Sequence, residues 1–128
     1  MSNEASENHS RTTRKNRSNE EIQTVTANTF TTQVLEAEGP VAVEFMSYGC
    51  AHCRTIEPIV EHVAEIVKPR EKIFRVNIAV EHGLADSYQI RGTPTFIMFL
   101  NAAEVGRVEG PSPTESDLVA ALTEPFKS

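Results

Sequence analysis

The spacing of apolar residues changes period several times along the chain, and each change predicts an element. "IQTVT", from Ile22, alternates and predicts a short strand. Asn28 is placed to cap a short helix over residues 29–35, and Gly39-Pro40 closes that unit. "VAVEFMS" (Val41–Ser47) is a continuous β-rich run and predicts a strand buried on both faces. From about Ala51 the period becomes helical: Ile56, Ile59, Val60, Val63 and Val67 share one stripe. Lys68-Pro69 ends that helix, because a residue before proline avoids helical dihedrals. "KIFRVNIAV" (Lys72–Val80) predicts a second buried strand, and Glu81–Ile90 a short helix or turn. "TFIMFL" (Thr95–Leu100), entered through Gly92-Thr93-Pro94, predicts a third. "EVGRVEG" (Glu104–Gly110) alternates and pairs with it as a hairpin. Pro113-Thr114-Glu115 opens a final helix with Leu118, Val119 and Leu122 turned inward. The order is βαβαβαββα. It predicts an α/β fold, a largely parallel sheet with helices on both faces and an antiparallel hairpin at one edge.

The first 21 residues break this patterning. "MSNEASENHSRTTRKNRSNEE" offers almost nothing to bury, so residues 1–21 are expected to form a disordered polar tail before a single domain over residues 22–128. No internal repeat is visible. Residues 1–19 hold four basic and two acidic side chains, a net of +2; the remainder holds eight basic and sixteen acidic, a net of −8. An overall charge of −6 excludes nucleic acid as a default partner, since phosphates need a basic face. No apolar run reaches the roughly 18 residues of a membrane span, and the first 21 residues lack the apolar stretch of a secretory signal. Glu4, Glu7, Glu20 and Glu21 argue against a transit peptide. The expectation is a monomer in the cytoplasm, with no membrane and no nucleic-acid partner. A reducing compartment disfavours structural disulfides.

Both cysteines of the chain lie in "YGCAHCRTIEP" (Tyr48–Pro58). A zinc site needs about four ligands, and no second CxxC or HxxxH pair completes one, so no metal is expected. A disulfide across so short a ring constrains little chain entropy, which disfavours a structural staple. A working dithiol fits the geometry. Cys50 falls where a buried strand gives way to a helix, and free N–H groups at a helix N-terminus favour a thiolate. Cys53 lies nearly one turn later, placed to attack a mixed disulfide formed by Cys50. His52, if charged, adds a neighbouring cation; the other reading is an exposed residue with no electrostatic role. Glu44 interrupts a strand expected to be buried on both faces. Two readings are open: a buried carboxyl serving as proton acceptor for Cys53, or a solvated side chain on a face open to water. Pro94 suits the first position of its strand, in either the cis or the trans form.

Together these residues resemble the thioredoxin family. The carriers are "VAVEF", with its acid six residues before Cys50, then CAHC, Pro58, "RVNI", "IRGTPT" and "VEG", spread over about residues 22–122. The resemblance implies a thioredoxin fold, with a central mixed sheet flanked by helices on both faces. It implies that Cys50 attacks, that Cys53 resolves, and that the two form a redox-active disulfide. Glu44 matches the buried acid that assists proton transfer, and Pro58 the proline that kinks the long helix. Pro94 matches a cis-proline facing the dithiol and, with Thr93, lines the substrate groove; Gly49, Ile78, Gly92 and Gly110 match further parts of it. The implied activity is thiol–disulfide exchange with protein disulfides. It uses no cofactor, and a thioredoxin reductase or another dithiol supplies electrons.

The chain also departs from the family pattern. It has no tryptophan; Met46 and Gly49 stand at those places. Glu44 replaces an Asp, Arg75 a lysine and Ala79 an aspartate. Ala51-His52 replaces Gly-Pro between the cysteines, and a histidine there is similar to protein disulfide isomerase and DsbA. Those couples lie about 90 to 150 mV above thioredoxin, so this couple is expected to be less reducing, with the inner pair and Thr93 tuning it. Two other readings remain open: a thioredoxin-like binding, adaptor or redox-sensing module without turnover, and a low-affinity metal carrier using Cys50, Cys53 and His52.

Overall fold

A computed structural model describes residues 22–127. The expected tail falls outside them, apart from which the nine expected elements are present in the expected order. Strand β1 is Ile22–Thr24, helix α1 Thr31–Leu35, β2 Val41–Met46, α2 Ala51–Val67, β3 Lys72–Asn77, α3 His82–Ser87, β4 Thr95–Leu100, β5 Ala103–Glu109 and α4 Glu115–Thr123. A 3₁₀ turn, Glu124–Phe126, follows α4 and was not expected from the sequence.

The strands form one mixed sheet in the order β1-β3-β2-β4-β5. β3 runs parallel to both β1 and β2; β4 is antiparallel to β2 and to β5. Alternation along each strand divides the core in two. Ala42, Ile73, Phe96 and Met98 face α2 and α4, where Ile56, Val60, Val63, Leu118 and Leu122 cover them. Val41, Val43, Phe45, Phe74, Val76, Ile97 and Phe99 face the other way, beneath Val34 and Leu84. Each fully buried Leu, Ile or Phe contributes about 1.5–3 kcal/mol through lost apolar contact with water.

Two local expectations are corrected. Asn28 does not cap α1. The Thr26 N–H donates to Thr29 Oγ1 at 2.9 Å, and the Asn28 N–H itself donates to Thr26 Oγ1 at 3.2 Å. Two threonines thus organise the entry, and α1 is wound in the wider form, with the Glu36 N–H reaching Thr31 O at 2.9 Å. β3 ends at Asn77 rather than Val80, because the Asn77 side chain accepts the Ala79 N–H at 3.0 Å and turns the chain. Leu118 and Leu122 are buried, and Val119, partly buried, packs against the same core, as expected. At the far edge Gly106 lets β5 meet the closing turn; a side-chain carbon there would lie 2.6 Å from Pro125 Cγ.

Candidate active site

β2 leaves the centre of the sheet at Met46, and the chain turns at Ser47–Gly49, with the Cys50 N–H donating to Ser47 O at 3.2 Å. Cys50 is then the N-cap of α2, in extended conformation (φ −84°, ψ 118°). Its sulfur accepts the Cys53 N–H at 3.1 Å. A cap ordinarily uses an oxygen acceptor for these free N–H groups; here a sulfur takes that place. Cys50 is partly exposed, and Cys53 is buried, 1% accessible.

The two thiols differ in proton affinity. Burial pushes Cys50 up, but hydrogen bonds from the Cys53 thiol, the Thr93 side chain and the backbone N–H groups of Cys53 and His52 outweigh it, leaving Cys50 below an ordinary thiol. Burial, reinforced by the hydrogen bond with Cys50, pushes Cys53 up to about 11. The outer sulfur is therefore the better anion and the inner one the better proton holder.

Opposite the dithiol, the Thr93-Pro94 peptide is cis. The Cys50 thiol donates to Thr93 O at 3.5 Å. Gly110 (φ +54°) donates its N–H to Pro94 O at 2.8 Å, and Thr95 Oγ1 donates to Gly92 O at 2.7 Å. These bonds fix the β4 entry against the end of β5. A side-chain carbon at Gly110 would sit 3.7 Å from His52 Cε1, whereas one at Gly49 or Gly92 would meet only open space. Residues 49–53, 92–94 and 110 thus gather at one end of the sheet. Ala51 is exposed at the start of α2. Ile78 reaches this end through its N–H, bonded to Met46 O at 2.8 Å, but its side chain packs on the core face shared by Val43 and Phe45.

Glu44 points from β2 into the layer beneath α2 and is 1% accessible, so the solvated reading does not hold. Burial dominates its chemistry and pushes its carboxyl to about 7, although the Arg75 guanidinium opposes this. Arg75 Nε donates to Glu44 Oε1 at 3.3 Å, and Arg75 Nη2 lies 3.2 Å from Glu57 Oε2. Glu57 was not singled out in the sequence. It lies four residues after Cys53, and helical spacing alone puts the two on one face. Tyr48, 56% accessible beside Cys50, was also missed as an exposed aromatic; Arg54 Nη1 clips its carbonyl at 3.1 Å. Among the described residues, no group of three or more His, Cys, Asp or Glu side chains is arranged to hold a metal ion. No described helix is long and apolar enough to cross a membrane.

Comparison with known proteins agrees with this geometry. A family model, Thioredoxin, matches residues 21–124. "Thioredoxin 1" of Nostoc sp. is 34% identical over 89 residues, which span 70% of this chain and 83% of that protein. "Thioredoxin" of Pseudomonas aeruginosa is 33% identical over 107 residues, 80% of this chain and 94% of that one. In fold, the crystal structure of Malassezia sympodialis thioredoxin matches with a TM-score of 0.72 at 24% identity, covering 83% of this chain and 91% of the other. The chain belongs to the thioredoxin family, whose members include disulfide oxidoreductases.

Proposed function

We propose that the protein is a thiol–disulfide oxidoreductase acting on protein disulfides, with a couple less reducing than that of ordinary thioredoxin. The observation that carries the reading is the Cys50 sulfur, partly exposed at the α2 N-terminus and accepting an N–H at 3.1 Å, with Cys53 buried behind it.

In the reducing direction the Cys50 thiolate attacks one sulfur of a substrate disulfide. A Cys50–substrate bond forms, the substrate S–S bond breaks, and the departing thiolate takes a proton from water. Glu44, poised near neutrality, accepts the Cys53 proton. The Cys53 thiolate then attacks the Cys50 sulfur and releases the second substrate thiolate, which is also protonated. Two electrons leave the dithiol and Cys50–Cys53 closes as a disulfide. A second dithiol, from a reductase or a small thiol, returns the electrons, so no organic cofactor or metal enters. Thr93 and Pro94 present backbone to an incoming segment, and the open space at Gly49 and Gly92 leaves room for it. A monomer in a reducing compartment such as the cytoplasm suits the reading.

Insulin reduction by dithiothreitol tests it. The protein is expected to accelerate precipitation, and Cys50→Ser to return the rate to that of dithiothreitol alone. Equal curves for the two proteins would remove the enzymatic reading.

A further inference from the structure

Arg75 stands between the buried acid and water. Its side chain is 8% accessible, with Glu44 on one side (2%) and Glu57 on the other (29%). Tyr48, Glu57 and Arg75 line a surface hollow of about 650 Å³ between β1 and α2, whose other walls include Gln23, Thr24 and Gln33. Glu44 does not reach that hollow. The guanidinium therefore forms a plug between the acid and solvent.

One cation here serves two carboxylates. Arg75 Nε is hydrogen-bonded to Glu44, while Nη2 is close to Glu57 without hydrogen-bond alignment. The second contact is thus chiefly electrostatic, and it divides the cation's field. We propose that Glu57 is a positioning residue: by drawing Arg75 toward the hollow, it governs when Glu44 carries its proton. Among the described residues, charged groups act on Glu44 from two elements. β3 supplies Arg75, its register partner. α2 supplies Glu57 and Glu61, both of which favour the protonated acid. β4 supplies the uncharged Phe96 opposite Glu44. The Tyr48 phenol acts on Arg75.

Glu57 lies one helical turn beyond Cys53, so the device sits at the step in which Cys53 gives up its proton. It rests on the reading of Glu44 as proton acceptor, and the test separates the two. The Glu44 carboxyl is followed by carbon-13 NMR across pH 5 to 9 in the reduced full-length protein, assigned with Glu44→Gln. Glu57→Gln is expected to lower its midpoint by about one unit, a tenfold loss of proton affinity. Glu61→Gln, which leaves the Arg75 contact intact, is expected to move it less, and Glu57→Asp to restore most of the wild-type value. An unmoved or raised midpoint in Glu57→Gln, or an equal fall in Glu61→Gln, overturns the proposal. Should Glu57→Gln fold poorly, Glu57→Ala, which also removes the carboxylate beside Arg75, supplies the same comparison. Separately, the rate of mixed-disulfide resolution against pH is expected to follow the midpoint. If the midpoint moves and the rate profile does not, Glu57 keeps its role and Glu44 loses its own.

Discussion

Two carboxyls are buried among the described residues, and their surroundings separate them. Glu44 has Arg75 at 3.3 Å. Glu71, 5% accessible, has no hydrogen-bond partner for Oε2 among the described residues, and burial alone pushes its carboxyl to about 8. An unfolded Glu titrates near about 4.3. Between about pH 4 and pH 8 the unfolded chain loses the proton while the folded one keeps it, so stability falls as pH rises through that window and levels off above it. Glu71→Leu is expected to stabilise the protein by about 2–3 kcal/mol at pH 7, with almost no gain at pH 4. Urea unfolding at the two pH values checks this, and an equal effect at both would show that the charge is not the cause. Glu44 was legible because it breaks an apolar run. Glu71 was not: in "KPREK" it reads as one more charge in a turn, and only the packing of α2 against the start of β3 encloses it.

At the scale of elements, helices and strands followed the apolar period, while the joints followed local hydrogen bonds. The Thr26–Thr29 pair replaced Asn28 at the start of α1, and the Asn77 side chain cut β3 short. α2 keeps its length despite Pro58, which lacks the N–H that would bond the Arg54 carbonyl. The β4–β5 hairpin turns on Asn101 (φ 52°) and Ala102 (φ 71°), with Leu100 paired to Ala103. Two consecutive positive φ angles suit the right-handed twist of a hairpin, but the Ala102 Cβ crowds its own backbone there. Ala102→Gly is expected to raise stability by about 0.5–1 kcal/mol, and thermal unfolding checks it. A loss would mean that the Cβ packs usefully.

For the whole molecule, the redox couple measures the difference in stability between the dithiol and disulfide forms. Bonds that favour the Cys50 thiolate stabilise the reduced protein and leave the oxidised one behind, at about 1.4 kcal/mol for each 30 mV. Several donors converge on that sulfur, and the inner pair is Ala51-His52. Equilibration with glutathione is therefore expected to give a potential between about −270 and about −180 mV. A value at or below the lower bound would show that these donors do not set the couple. The oxidised form is correspondingly expected to melt at a temperature closer to the reduced form than in a strongly reducing thioredoxin.

The sequence by itself determined the order of the elements, the two-sided burial of β2 and the placing of Cys50 and Cys53 at a helix start. Those features follow from apolar period and from spacing within a few residues. Apolar period and spacing did not bring Thr93 and Gly110, 43 and 60 residues beyond Cys50, to the dithiol, a placing that only the family resemblance implied, and nothing in the sequence showed that Arg75 would be shared by Glu44 and Glu57. Those contacts depend on strand order and register. β2 lies between β3 and β4, which brings Arg75 to one side of Glu44 and the Pro94 loop to the other side of the same sheet end. Proton affinities followed the same division, because the degree of burial that shifts them belongs to the packed layers and to no single stretch of chain.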